Sequence, residues 1–348
     1  MIRQTRQIQV AVLLTLSLVL CTGSGKRDDC KDTLGRFVPD DVWVFESTWH
    51  DPQRDFVAEH YARVWNSVKK SGVFDEFKSM LESDMSADHK TAFDDFWSQA
   101  TALCGAVNWY DLIRNESAFA CRFDNVLPEF FVLFDAQPDT RDDNVTALSN
   151  IFTALADVSD VVTLSTDDYA GAKVWTLSIS QAPISLHLAQ KDNVIGVFMG
   201  QAAMRDCLDL ISGKSSKKPI VESSRFQEAL ARVDAPTFSV SFLDMEGLFR
   251  FLRKVPEMAK AKHSAHHTGT GPEPEQIAGM IGAIFDQFDM FDWVIMTGSM
   301  DGTKEYYHEF TRTKPNCTDK ACHRMCAGQK MFTNYDRFLP RSAKTFAV

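Results

Sequence analysis

Between Val161 and Met199 four short strand-like blocks follow one another almost without interruption: Val161 to Ser165, Ala172 to Ile179, Ile184 to Ala189 and Val194 to Met199. Strands joined by connections this short run antiparallel. Asp192-Asn193 supplies a hairpin turn between the last two. This stretch constrains the fold more than any other, because it commits the middle of the chain to an antiparallel sheet.

The flanking segments add helices and further strands. Val42 to Phe45 reads as a buried strand. A long helical pattern from Pro52 to about Ser83 is broken at Gly72, and a second helix runs from Asp88 to Leu103. Gly105 to Ile113, Ser117 to Phe123 and Glu129 to Asp135 are expected as three antiparallel strands, and Asp142 to Ala156 as an amphipathic helix. Helices are expected over 202–212 and 224–232, a strand over 237–243 and a helix over 245–254. The Gly/Pro-rich run 258–275 reads as a mobile loop, followed by a helix over 275–288. Trp293 to Met300 and Glu305 to Thr313 form a hairpin over Asp301-Gly302. Blocks of strands alternating with blocks of helices predict an α+β fold, with antiparallel sheets and helices packed on one face.

The N-terminus points out of the cell. Arg3 and Arg6 precede the apolar run Val10 to Leu20, and small residues follow from Cys21 to Gly25. That order is a secretory signal peptide, with cleavage expected after Gly23 or Gly25. The apolar run is well short of the ~20 residues a membrane-spanning helix needs. A lipid anchor on Cys21 is the alternative; Leu20 is large where a lipobox has a small residue. No other stretch is apolar enough to span a membrane. Loss of residues 1–25 makes the net charge two units more negative than the −10 of the whole chain. Such a surface repels phosphate backbones and excludes nucleic acid as a partner. The 26 Phe residues indicate a ring-filled core.

In an oxidising compartment cysteines are expected to pair. Cys104, Cys121, Cys317, Cys322 and Cys326 are the disulfide candidates. Seven cysteines follow Cys21, so at least one thiol is left over.

The chain repeats part of itself. Arg36-Phe37-Val38-Pro39 at the start of the folded region returns as Arg337-Phe338-Leu339-Pro340, and a Phe closes each block at Phe45 and Phe346. The expected organisation is a signal peptide over 1–25, a polar leader over 26–36 and an α+β domain over 37–313. A Cys-rich connector over 314–336 and the start of a truncated second repeat over 337–348 complete it.

Several blocks in fixed order carry a resemblance. They are Phe37-Val38-Pro39-Asp40-Asp41-Val42, Tyr169-Ala170-Gly171-Ala172-Lys173-Val174-Trp175, Arg225-Phe226-Gln227-Glu228-Ala229-Leu230-Ala231-Arg232 and Leu243-Asp244-Met245-Glu246-Gly247-Leu248. The order resembles a large family of secreted bacterial proteins of unknown function, often repeated in tandem. In that family F-L-P-x-D-T opens the domain and S-x-x-F-Q-x-A-L-A-R precedes a strand. This chain has Val38 and Val42 where the opening motif has Leu and Thr. The resemblance covers residues 37–255 and implies an exported protein without assigned catalytic residues.

Candidate chemistry is sparse. Cys317, Cys322, His323 and Cys326 have donors for zinc, but the spacing fits no standard knuckle and reads better as a stapled loop. His263, His266 and His267 fall in the Gly/Pro loop and read as a solvated linker. The acid pairs Asp40-Asp41, Asp94-Asp95, Asp142-Asp143 and Asp167-Asp168 fall mostly at helix starts and turns and are read as capping residues there rather than as a glycosidase pair. His187 and His308 fall in strands and are read as structural. No nucleophile elbow, zinc-protease helix, dinucleotide or phosphate-loop motif occurs, and no cofactor is expected.

These readings converge on a secreted or periplasmic protein with a non-enzymatic role, either binding an envelope or extracellular partner or serving as a cell-envelope scaffold. A hydrolase acting on an envelope polymer is the alternative. Facing carboxylates in a cleft, or a buried Ser-His pair, would favour the enzyme. A shallow sheet face with exposed aromatics would favour binding.

Overall fold

A computed structural model describes residues 30, 33–51, 63, 67, 70–83, 85–109, 112, 115–124, 127–157, 161–180, 184–252, 290–301 and 304–315. The expected signal segment 1–25, the loop 258–275, the helix 275–288, the three cysteines from Cys317 onward and the block 337–348 lie outside these residues.

Ten strands build one sheet. They are β1 (Val44–Trp49), β2 (Glu116–Asp124), β3 (Leu127–Asp135), β4 (Val162–Tyr169), β5 (Ala172–Ile179), β6 (Ser185–Lys191), β7 (Val194–Met199), β8 (Ser239–Asp244), β9 (Phe291–Asp301) and β10 (Lys304–Thr313). Their order is β10-β9-β8-β1-β2-β3-β7-β6-β5-β4, which leaves β10 and β4 at the edges. The helices are α1 (Val73–Glu82), α2 (Ala87–Ala106), α3 (Arg141–Asp157), α4 (Gln201–Ile211), α5 (Ser224–Leu230) and α6 (Met245–Leu252).

The expected fold class needs correction. Several sheets with helices on one face give way to a single ten-stranded antiparallel sheet, and strand exceeds helix. Helices also cover both faces. One row across the first face reads Ile295, Phe242, Phe45, Ala120, Phe131, Phe198, His187, Thr176. Ala203, Met204, Cys207 and Leu208 of α4, at helical spacing, and Phe226 of α5 join the core on that face. The second face carries Val132, Phe134, Leu188 and Ile195 beneath Val145, Leu148 and Phe152 of α3. A strand interior buried on both sides loses the clean alternation that marks a one-sided sheet.

Most local expectations hold within a few residues. Gly72 does break the helical stretch: it is the N-cap of α1, at φ 79°. The four blocks of 161–199 become β4 to β7, and Asp192-Asn193 turns between Lys191 and Val194. The expected strand Gly105–Ile113 is wrong. Gly105 and Ala106 finish α2, and Trp109 and Leu112 are helical. A short apolar run fits either period until its neighbours decide.

Two compact units divide the chain: Met1–Phe251 with Trp293–Thr311, and Leu252–Asp292 with Arg312–Val348. In the second, Met290 is buried, its carbonyl accepts the Lys314 N–H at 2.7 Å, and Arg312 lies 3.3 Å from Asp292.

Candidate functional site

Arg122 gathers charge from four parts of the chain. It lies near the end of β2 on the first face and is only 5% exposed. Its Nε donates to Glu129 of β3 at 2.6 Å, its Nη1 to Asp41 at 2.9 Å, and its Nη2 lies 2.7 Å from Asp206 of α4. Lys217 then bridges Asp41 and Asp206 at 2.8 and 2.7 Å. Burial alone would raise the pKa of Asp41, but the Lys217 hydrogen bond and the Arg122 charge outweigh it and hold the carboxyl below its ordinary value. Its neighbour Asp40 is pushed the other way, by burial and then by the charge of Asp41. A glycosidase pair needs one carboxyl that keeps a proton. Here a guanidinium stands between the acids and helps hold Asp41 in its charged form, so the cluster reads as a tie between segments.

A buried Ser-His pair is present as well. His187 of β6 is 2% exposed, with Ser185 Oγ 2.8 Å from Nε2 and Thr176 Oγ1 3.0 Å from Nδ1. Burial, helped by the charge of Arg205, lowers its pKa to about 4. The imidazole is therefore neutral at physiological pH and a weak base. A hydroxyl, not a carboxylate, occupies the place of the orienting acid in a Ser-His-Asp arrangement. The three residues clip β5 to β6.

The remaining sequence candidates are scattered. Cys121 sits in β2 as a buried free thiol, and burial pushes its pKa up to about 12. Cys207 is a second buried free thiol, and Cys30 is buried as well. Cys104 lies in α2, and Cys317, Cys322 and Cys326 lie outside the described residues. Asp142 and Asp143 occupy the first turn of α3, as expected of helix-start acids. Asp94 lies inside α2, paired with Lys78, and Asp167-Asp168 is exposed on edge strand β4, so neither pair marks a helix start or turn. His308 lies in β10, 3.2 Å from Asp234. Among the described residues no group of His, Cys, Asp and Glu could hold a metal ion.

The two sheet edges differ in kind. β4 shows Ser165, Thr166, Asp167 and Asp168 to solvent, which discourages pairing by another chain. β10 shows Tyr306 at 41%, Tyr307 at 54% and Phe310 at 37% exposure. These rings are braced: Tyr307 packs edge-on against Phe238 at 5.8 Å, and Phe310 lies 5.6 Å from Trp293. Held aromatic side chains with one open side are the commonest anchors of protein interfaces.

No family model, curated protein or solved structure matches this chain. The geometry of the chain itself therefore carries the functional argument. Sequence reading placed β10 correctly but passed over its rings; the adjacent Tyr306-Tyr307 in a strand was the available signal, since neighbouring side chains point to opposite faces. It also missed Arg122, Glu129, Asp206 and Lys217, which no local pattern brings together. No helix among the described residues is long and apolar enough to cross a membrane.

Proposed function

We propose that this is an exported, non-enzymatic binding protein of the cell envelope or extracellular space, which docks a partner protein on edge strand β10. One observation carries the reading: Tyr306, Tyr307 and Phe310 are exposed together on the last strand of the sheet, over rings that hold two of them in place. Among the described residues β10 is an edge of the sheet, and the backbone of such a strand adds directional hydrogen bonds to the aromatic contacts. The signal-peptide pattern and the acidic surface support a partner outside the cytoplasm that is neither nucleic acid nor an anionic lipid surface.

The test compares the mature chain with a variant carrying Tyr306→Ser, Tyr307→Ser and Phe310→Ser. A photo-crosslinker at Lys304 is activated in envelope extract. A discrete adduct on the wild type, weakened about tenfold or more in the variant, is the expected result for loss of anchoring rings. Equal adducts on both chains, or none on either, overturn the reading.

The hydrolase alternative draws on the Ser185–His187 contact. A fluorophosphonate probe separates the two: the docking reading expects Ser185 unlabelled. Labelling that disappears in Ser185→Ala would establish the enzyme instead.

A further inference from the structure

Glu46 stands on the second face of the sheet, opposite the Arg122 cluster. The register places it in a cross-strand row reading Met296, Ser241, Glu46, Phe119 and Val132. Val44 and Thr48 are its same-face neighbours along β1, and Leu243 pairs with Val44. The immediate surroundings on the sheet are thus apolar or hydroxyl-bearing, and none is charged. Glu46 is half-buried, whereas Met296 at the outer end of the row is 36% exposed.

Two buried acids of the sheet, by contrast, are matched. Glu116 accepts from the Ser47 hydroxyl at 2.8 Å, and Glu129 accepts from Arg122 at 2.6 Å. Among the described residues Glu46 has no such partner. Burial raises its carboxyl above the ordinary glutamate value, with no neighbouring charge contributing. A half-buried carboxylate without a countercharge is costly, and a cation brought to it removes that cost.

We propose that this face is a binding site for an organic ammonium with an apolar body, the ammonium pairing with Glu46 and the body lying along Phe119, Leu243 and Met296. The row from Met296 to Phe119 crosses three interstrand spacings, about 14 Å, which suits a small amphiphilic amine. The site lies on the sheet face rather than on the β10 edge, so it stands or falls apart from the docking reading.

The probe is phenethylammonium, with 2-phenylethanol as its uncharged counterpart. Both are titrated at low salt into the chain labelled with ¹³C at the methionine methyls, and the Met296 resonance reports occupancy. The ammonium is expected to bind about tenfold or more tightly than the alcohol, the margin of one charge-assisted hydrogen bond. Glu46→Gln should abolish that margin while leaving the fold intact, because it removes an unmatched charge at nearly constant shape. Ser241→Lys is the second variant, which places a cation directly across from Glu46. It should likewise abolish the margin, and it should raise the melting temperature. Equal binding of amine and alcohol, an unchanged margin in Glu46→Gln, or no perturbation of Met296 by the amine overturns the proposal.

Discussion

Arg122 is the residue whose removal should cost most. It is nearly inaccessible and holds Asp41, Glu129 and Asp206, so its loss leaves three carboxylates facing one another with only Lys217 between two of them. Arg122→Met is expected to lower unfolding free energy by about 3–5 kcal/mol in urea denaturation. Asp41 and His187 make stability fall towards acid pH, whereas the raised carboxyls of Asp40 and Glu46 act in the opposite sense. Asp41 has a folded pKa held below its ordinary value, so its contribution is present above that value and is lost as pH falls through the folded one. His187 has its pKa lowered from 6.5 to about 4, so the unfolded chain takes up the proton first. Stability should therefore fall as pH drops from 6.5 towards 4, by roughly 3 kcal/mol from this group. Urea titrations at pH 7 and pH 4 measure it. A flat profile, or an imidazole NMR signal of His187 titrating near 6.5, would contradict the burial argument.

At the scale of elements, the join between β7 and α4 is the most constrained. Gly200 has φ +99°, and a Cβ there would meet Glu129 Oε1 at 2.8 Å. Gly200→Ala thus combines a strained backbone with pressure on the Arg122 network, and should cost about 1–3 kcal/mol. Thermal unfolding of the variant checks this; a melting temperature equal to wild type would show that Glu129 moves aside freely. Elements were also where sequence reading performed best. α3, α4 and α5 were legible because their buried residues recur at helical spacing, and β5 and β7 because turns bound them on both sides. Gly105–Ile113 misled because Val107, Trp109 and Leu112 satisfy a strand about as well as a turn of helix. In the candidate sites the exposed rings of β10 were half legible. Glu46 was not, because an acid in a strand looks like any solvent-facing residue until its neighbours across the sheet are known.

For the molecule as a whole, export is the expectation that reaches furthest. Intact-mass measurement of the native protein should show a chain beginning after Gly23 or Gly25; recovery with Met1 in place would remove the basis for an extracytoplasmic partner. Two buried thiols report on the integrity of the fold. Cys121 and Cys207 are shielded from oxidants, so they should stay unlabelled by a thiol reagent until the chain is denatured. Labelling in the native state would mean that this half of the sheet opens readily.

By itself the sequence determined the period of most segments, the turns between neighbouring strands and the acidic charge of the chain. These depend on residues within a turn or two of one another, where spacing and side-chain type suffice. Only the tertiary structure decided that the strands form one sheet, that both faces are covered, and that Asp41 meets Arg122 from 81 residues away and Lys217 from 176. Those pairings rest on which surfaces fit and bury together. No local pattern records that choice, because the closing of each long loop is repaid only by contacts made at its far end.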